Sequence, residues 1–480
     1  MRHRFASGLA GPAIMVAVFL LYTNLPVVAA HEGAVPPGLA VLIPVLLLLA
    51  VVYQLVIRRR GVVVDRSLLL MMAFLGVFLI ATFAAEGHDT AASRIGTFVG
   101  EGLLIYFLVR NAIRSLPDLQ TAVRAVLLAT TLLAGLSVVQ AVTGNYHQSF
   151  LGLAQRNLIR FEAGTPVPIG EREGEEMGLE DRARGPVDDP NRFAQILLMA
   201  LPLGLVAGLN ARRRRGAMMA WLLVGLILAT VLLTYSRGGL VTLVLMVLLL
   251  APLRLVRPRR LAIMMIVGLL AAPVVIPGFS GRVASVAGVA GLFGKAGVEA
   301  DGPTRGRVTE MLAALAAYMD HPVLGVGPGQ YAAHHSVYYQ SLPEIAFRQI
   351  PVPRRAHSLY LEIAAETGTV GFLIFMAIPL LLLRDLERLR RALYVHQPDL
   401  ARWASGFILA LLAYLGTGVF LHLAFERYYW FMIALAAAAT GILGHALRHT
   451  ETVYSVAQAQ HPASPRRTRA TVGAGEQHFA

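Results

Sequence analysis

Apolar stretches of membrane-spanning length alternate with short polar breaks from residue 8 to residue 447. Taking roughly 17–25 apolar residues as one crossing, the pattern gives twelve: 8–30, 38–57, 67–85, 95–113, 119–141, 193–210, 217–234, 239–252, 261–276, 358–383, 404–424 and 429–447. The eighth and ninth are short, so ten or eleven crossings are the alternatives. Basic residues precede the first stretch at Arg2 and Arg4, as in a signal peptide, but its apolar core is long for one and it is read as a retained span. The expectation is an all-α polytopic integral membrane protein of about twelve transmembrane helices.

Two longer polar segments, about 142–192 and 277–357, separate groups of spans. In the second, Val308, Met311, Leu312, Leu315, Ala316 and Met319 recur at the spacing of an amphipathic helix running from Arg305 to Asp320. His321-Pro322 ends it, and Gly325-Val326-Gly327-Pro328-Gly329 predicts a tight turn. A small, mostly helical subdomain is therefore expected between spans nine and ten. Residues 1–447 form the membrane domain, and 448–480, without apolar periodicity, reads as a disordered basic tail.

Composition agrees with the pattern: 56% of the 480 residues are hydrophobic and 15% charged, against about 45–50% and about 25% in soluble proteins. The net charge of +14 would suggest nucleic acid in a soluble chain. Here the arginines cluster at span ends, at Arg58 to Arg66, Arg110 to Arg114, Arg212 to Arg215, Arg254 to Arg260 and Arg384 to Arg402, and no aromatic residues interleave with the runs Arg58-Arg59-Arg60, Arg212 to Arg215 and Arg257-Pro258-Arg259-Arg260 to stack bases. Placing all five clusters in the cytoplasm satisfies the positive-inside rule and puts both long polar segments outside. The absence of cysteine excludes disulfides and thiolate chemistry.

Four segments place polar groups at the external ends of spans. Arg184-Gly185-Pro186-Val187-Asp188-Asp189-Pro190-Asn191-Arg192-Phe193 precedes span six, where Asp189 or Asn191 also suits a helix cap. Tyr235-Ser236-Arg237-Gly238 interrupts a long apolar stretch, and an arginine there costs about 2.5–3.5 kcal/mol on insertion scales unless paired or hydrated. Arg305-Gly306-Arg307 opens the amphipathic helix, either as solvated charge or as part of an anion site. Guanidinium forks fit phosphate oxygens in pairs, so Arg184, Arg237 and Arg305 converging from separate segments would clamp a diphosphate without a metal.

The fourth segment carries His357, either an interfacial helix-start residue or a proton acceptor. Glu362 and Glu366 follow at i, i+4, which implies burial toward protein or water. His321 and His334-His335 lack ligand-spaced carboxylate or cysteine partners, so no metal site is expected, nor any cofactor.

Together the four segments resemble the O-antigen ligase and polymerase superfamily. The resemblance rests on Arg184-Gly185 with Asp189-Pro190-Asn191-Arg192-Phe193-Ala194, on Tyr235-Ser236-Arg237-Gly238, and on His321-Pro322-Val323-Leu324-Gly325-Val326-Gly327-Pro328-Gly329. Above all it rests on His357-Ser358-x-Tyr360-Leu361-Glu362 continuing to Glu366-x-Gly368-x-x-Gly371. It implies a glycosyltransferase at the periplasmic face of the bacterial inner membrane, moving a glycan from undecaprenyl diphosphate to lipid A–core oligosaccharide. In that picture His357 takes the acceptor proton while Arg184, Arg237 and Arg305 hold the diphosphate. Arg307, Asp189, Asn191, Tyr235, Glu362 and Glu366 give support, and inversion at the anomeric carbon is expected. A polymerase or a protein O-oligosaccharyltransferase using the same donor is the alternative; a transporter, which would break spans near the midplane, is a third reading.

Overall fold

The computed structural model describes residues 10–83, 85, 87–146, 148–154, 159–162, 165–168, 182–275, 302–340, 354–423 and 426–460. These residues are almost wholly helical. The chain begins with α1 (Ala10–Thr23) and α2 (Leu25–His31), bent by 49° at Asn24, whose left-handed backbone is followed by Pro26. Next come α3 (Leu42–Val52), continued by a π-helical turn to Ile57, and α4 (Arg66–Thr82). A second π-helical stretch, Phe98–Leu104, joins α5 (His88–Thr97) to α6 (Ile105–Ala112) within one membrane-length helix. After α7 (Leu116–Thr143) the first long polar segment contains a hairpin, β1 (Ile159–Glu162) antiparallel to β2 (Thr165–Pro168), which the apolar pattern gave no reason to expect.

The second half comprises α8 (Pro190–Leu209), α9 (Arg214–Leu233), α10 (Arg237–Leu249), α11 (Pro258–Val275), α12 (Gly302–Asp320), α13 (Tyr331–Gln340), α14 (Leu359–Leu393), α15 (Pro398–Thr417) and α16 (Glu426–Gln460). Among the described residues eight helices are long and apolar enough to cross a membrane, or nine if the bent α1–α2 pair counts as one span. The expected twelve is not reached by this measure. Helix α4 has 17 residues and α10 only 13; at 1.5 Å per residue α10 covers about 20 Å of a roughly 30 Å hydrocarbon core. Where a subdomain is expected between spans nine and ten, the described residues hold two helices, α12 and α13, and residues 276–301 and 341–353 lie outside the described residues. Helix α16 continues to Gln460, past the expected start of the tail at 448, and residues 461–480 lie outside the described residues.

Helices α8, α15 and α16 form the centre. Within their most apolar windows 83%, 78% and 61% of residues are buried, against 17% for α9 at the periphery. Lipid tails are as apolar as leucine, so this burial depends on close packing rather than water exclusion. Small residues permit it: Ala434 and Ala436 to Ala439 in α16 are all buried, and Gly406 of α15 sits against Val206 of α8.

Helix α14 is broken at Gly368, whose φ of 63° and ψ of −167° only glycine adopts readily. The glycine-rich turn after α12 fills the break. Val326 N–H donates to the Ala365 carbonyl at 2.9 Å, Gly327 N–H to the Glu366 carbonyl at 3.1 Å, and Thr369 N–H to the Pro322 carbonyl at 2.8 Å. A Cβ on Gly325 or Gly368 would overlap the facing backbone. The two glycine motifs, far apart in sequence, are thus one structural joint.

The two ends of the bundle differ. At one, α8, α10, α14 and α16 begin and α9 and α15 end. At the other lie the arginine clusters, tied together by Gln54 donating to the Ala112 carbonyl at 3.1 Å, Arg66 pairing with Asp385 at 2.8 Å, and Asn210 donating to the Asp399 carbonyl at 2.9 Å.

Candidate functional site

The segment before α8 is folded by its own polar atoms. Asp189 caps the helix, its carboxylate accepting from Asn191 N–H at 2.7 Å and Arg192 N–H at 3.1 Å, with Pro190 at the first helical position. Gly185 is left-handed because the Phe193 ring occupies the space a Cβ would take. Asp189 and Asn191 are thus placed as turn and cap. The turn delivers Arg192, buried at 6% exposure, into the end of the bundle.

Arg192 meets the connection between α15 and α16. Its guanidinium donates to the His422 carbonyl at 3.2 Å and to His422 Nε2 at 2.6 Å. A guanidinium has no acceptor, so Nε2 accepts and the ring proton sits on Nδ1. Burial, with Arg192 and Arg355 close by, pushes the His422 pKa well below its ordinary value and keeps the ring neutral. The loop itself is clamped: Leu423 N–H donates to Glu362 Oε2 at 2.8 Å and the Leu423 carbonyl accepts from Arg355 at 2.6 Å. Arg355 also pairs with Glu362 at 2.6 Å.

His357 faces His422 edge-on, with ring centroids 5.6 Å apart. It stands just before α14, in a left-handed conformation (φ 46°) that is uncommon for a non-glycine residue. Ser358 caps the helix, and Leu359 N–H is tied to the Gly418 carbonyl at 2.8 Å. His357 Nε2 lies 3.3 Å from Glu310 Oε2 on α12, and Glu310 also pairs with Arg354 at 3.2 Å. Nδ1 is enclosed and has no hydrogen-bond partner. Burial, then the charges of Arg307 and Arg192, hold the His357 pKa down at about 4 against the pull of Asp189, so the imidazole is neutral at pH 7.

Beneath these groups a second layer of charge is enclosed. Arg94 pairs with Glu426 at 2.7 Å and approaches Glu366 at 3.9 Å. Glu362 and Glu366 are therefore placed as expected, on one buried face, but each is engaged with an arginine of the chain and serves first to hold the site together.

The remaining expected residues are distributed as follows. Arg184 stands at the start of the short 3-10 turn Gly185–Val187. The strand of chain leading to it is fixed to the end of α9 by Ala183 N–H donating to the Leu233 carbonyl at 3.1 Å and Arg182 to the Thr234 carbonyl at 2.9 Å. Tyr235 turns the chain in a left-handed conformation, and Arg237 then opens α10 behind the Ser236 cap. Gly238 packs on Phe420 and Gly239 on Ala194, which brings this corner against the loop carrying His422. Arg307 is near enough for its charge to act on His357. Arg305 lies in the first turn of α12, but its side chain lies outside the described residues.

Sequence reasoning passed over Arg94, Glu310, His422 and Glu426; it took in Arg192 and, at the head of the fourth segment, Arg354 and Arg355 without selecting them. A usable signal existed for Arg94, His422 and Glu426, ionisable groups flanking apolar stretches. None existed for Glu310, which is read as the polar face of an amphipathic helix. Among the described residues no group of three His, Asp or Glu side chains is placed to hold a metal ion.

Residues 222–376 match the family model described as O-Antigen ligase. The match takes in α10, α12, α13, His357 and the break at Gly368, and covers about a third of the chain. No curated protein matches the chain.

Proposed function

From the O-antigen ligase domain at residues 222–376, which supports membership of that family and a ligase- or polymerase-type glycan transfer in lipopolysaccharide biosynthesis, we propose a specific reaction. The chain moves a glycan from undecaprenyl diphosphate to the lipid A–core oligosaccharide, at the periplasmic face of the inner membrane. The observation that carries this reading is His357, a neutral imidazole held against Glu310 and surrounded by Arg192, Arg307 and Arg354 at one end of the bundle.

The chemistry follows from these groups. The neutral imidazole of His357 accepts the proton of the acceptor hydroxyl, and Glu310, 3.3 Å from Nε2, answers the charge of the imidazolium that forms. The hydroxyl oxygen forms its bond to the anomeric carbon as the bond from that carbon to the diphosphate oxygen breaks, and the electron pair leaves on the undecaprenyl diphosphate. Fixed guanidinium groups stabilise that growing charge. Arg184, Arg237 and Arg305 are assigned to this clamp, with Arg192 and Arg307 added because their charges already reach His357. Tyr235, Asp189 and Asn191 shape the turns that present them. With His357 as the one base, and the nearby carboxylates engaged by Arg354 (Glu310) and by the cap of α8 (Asp189) rather than offered as a nucleophile, the transfer is a single displacement with inversion.

The test is transfer by purified protein in detergent, given an undecaprenyl-diphosphate glycan and lipid A–core, with and without EDTA. A mass increase on the core that persists under chelation is expected. A mass increase on the glycan chain and none on the core would instead establish a polymerase, and a retained anomeric linkage would refute single displacement.

A further inference from the structure

At the end of the bundle away from His357, a cavity of about 340 Å³ opens between the turn joining α10 to α11, the end of α14 and the start of α15. Three guanidinium groups line it, Arg254, Arg390 and Arg402. Two are anchored from one side. Arg390 donates Nε and one terminal nitrogen to Glu387 at 2.6 and 2.7 Å. Arg402 donates one terminal nitrogen to Asp399 and to Asn210, both at 2.9 Å.

Arg254 is held differently. It sits at a left-handed bend of the turn (φ 58°) and its guanidinium lies over the Tyr394 ring, 4.4 Å from the centroid. This cation–π contact uses none of the N–H donors of the guanidinium. No carboxylate among the described residues pairs with it. Glu387 is shared further with Arg391 at 2.6 Å. The lining of the cavity thus holds three guanidinium groups and no carboxylate, an excess that an oxyanion would neutralise.

We propose that this cavity binds the phosphate of an anionic phospholipid head group, with Arg254 as the principal contact and Arg390 and Arg402 flanking it. Free phosphate shares the chemistry, but the setting favours the lipid. The cavity lies where spans end, at head-group depth, and its lip includes Val395, an apolar side chain 76% exposed beside the charged walls. Basic pockets between helix ends, with an apolar edge for glycerol and acyl carbons, suit a lipid better than a soluble ion.

Native mass spectrometry of the full chain in neutral detergent tests this, with phosphatidylglycerol compared with phosphatidylcholine. Retention of phosphatidylglycerol about tenfold above phosphatidylcholine is expected, falling to the phosphatidylcholine level in Arg254→Gln and partly kept in Arg254→Lys. Val395→Asp, an exposed position, places a carboxylate at the mouth and should remove the preference without disturbing the fold. Equal retention of phosphatidylglycerol by the parent chain, Arg254→Gln and Val395→Asp, each with an unchanged melting temperature, overturns the proposal. So does complete displacement of phosphatidylglycerol by millimolar inorganic phosphate, which would make the cavity a site for a free anion.

Discussion

At the His357 end of the bundle Arg94 and Arg192 are enclosed by protein groups, whereas at the opposite end most of the arginines are wet. Arg94 is 12% exposed and pairs with Glu426, and Arg192 is buried against His422. Arg212 to Arg215, Arg257, Arg259 and Arg260 are all exposed. A guanidinium at the edge of a bilayer costs little when its head reaches water and several kcal/mol when it does not. The enclosed ones persist because protein groups answer them, and the two ends therefore require different arguments: topology for the wet arginines, chemistry for the enclosed ones.

The harshest way to break the His357 end leaves every charge in place. Gly368→Ala puts a side chain into a conformation only glycine adopts readily, and its Cβ would overlap the backbone of Val323. A cost of at least about 3 kcal/mol is expected, read as loss of monodisperse protein in size-exclusion chromatography. A variant that elutes and melts like the parent would show that the turn at 321–329 does not depend on the break in α14.

His357→Ala should leave insertion and yield unchanged and reduce transfer by about 10²–10⁴-fold, the usual worth of a general base. The pH profile sharpens this. Because burial, Arg307 and Arg192 disfavour the imidazolium, the basic form is present above about 4. Transfer should stay flat as pH falls through about 6.5, where an ordinary histidine titrates, and decline only as pH approaches about 4. A half-loss near the ordinary value would mean that His357 is not the base or is not so enclosed.

His422→Phe keeps a ring beside His357 but removes the acceptor that fixes Arg192. A hydrogen bond from a charged donor is worth about 1.5–3 kcal/mol, so transfer should fall roughly 10–100-fold. If Arg192 acts on the donor diphosphate, the loss appears mainly as a raised KM for the lipid-linked glycan. An equal loss with KM unchanged would place the pair in the chemical step instead.

Much of this site was legible in the residues, and the reason differs element by element. Asp189 announces its helix cap, and Arg237 announces itself by interrupting an apolar stretch, because both are local facts. The span pattern also reads well where helices run 20 residues or more, as in α8, α9 and α15. It also marks α10 as short, giving 239–252 against Arg237–Leu249, but misses its start by two residues because hydropathy does not register the Ser236 cap. The glycine turn at 325–329 and the glycines at 368 and 371 were visible as motifs, yet nothing in their spacing says that one plugs the other. Glu310 and His422 reach His357 only through the folding of distant segments, and that convergence has no linear signature.

The mildest intervention belongs to the wet end. Arg391 is 75% exposed and pairs with Glu387 at 2.6 Å, one turn away on α14. Arg390, whose side chain is 9% exposed, holds the same carboxylate through two bonds. Arg391→Ala therefore removes a solvent-screened contact and strands no charge, because Glu387 keeps its better partner. A loss of about 0.3–0.5 kcal/mol is expected, close to the detection limit of a melting curve, with transfer unchanged. Arg390→Ala takes away the enclosed partner and leaves Glu387 with the exposed one, so its effect should be clearly larger. If the two variants melt alike, enclosure does not govern the worth of an arginine here, and the contrast between the two ends loses its physical basis.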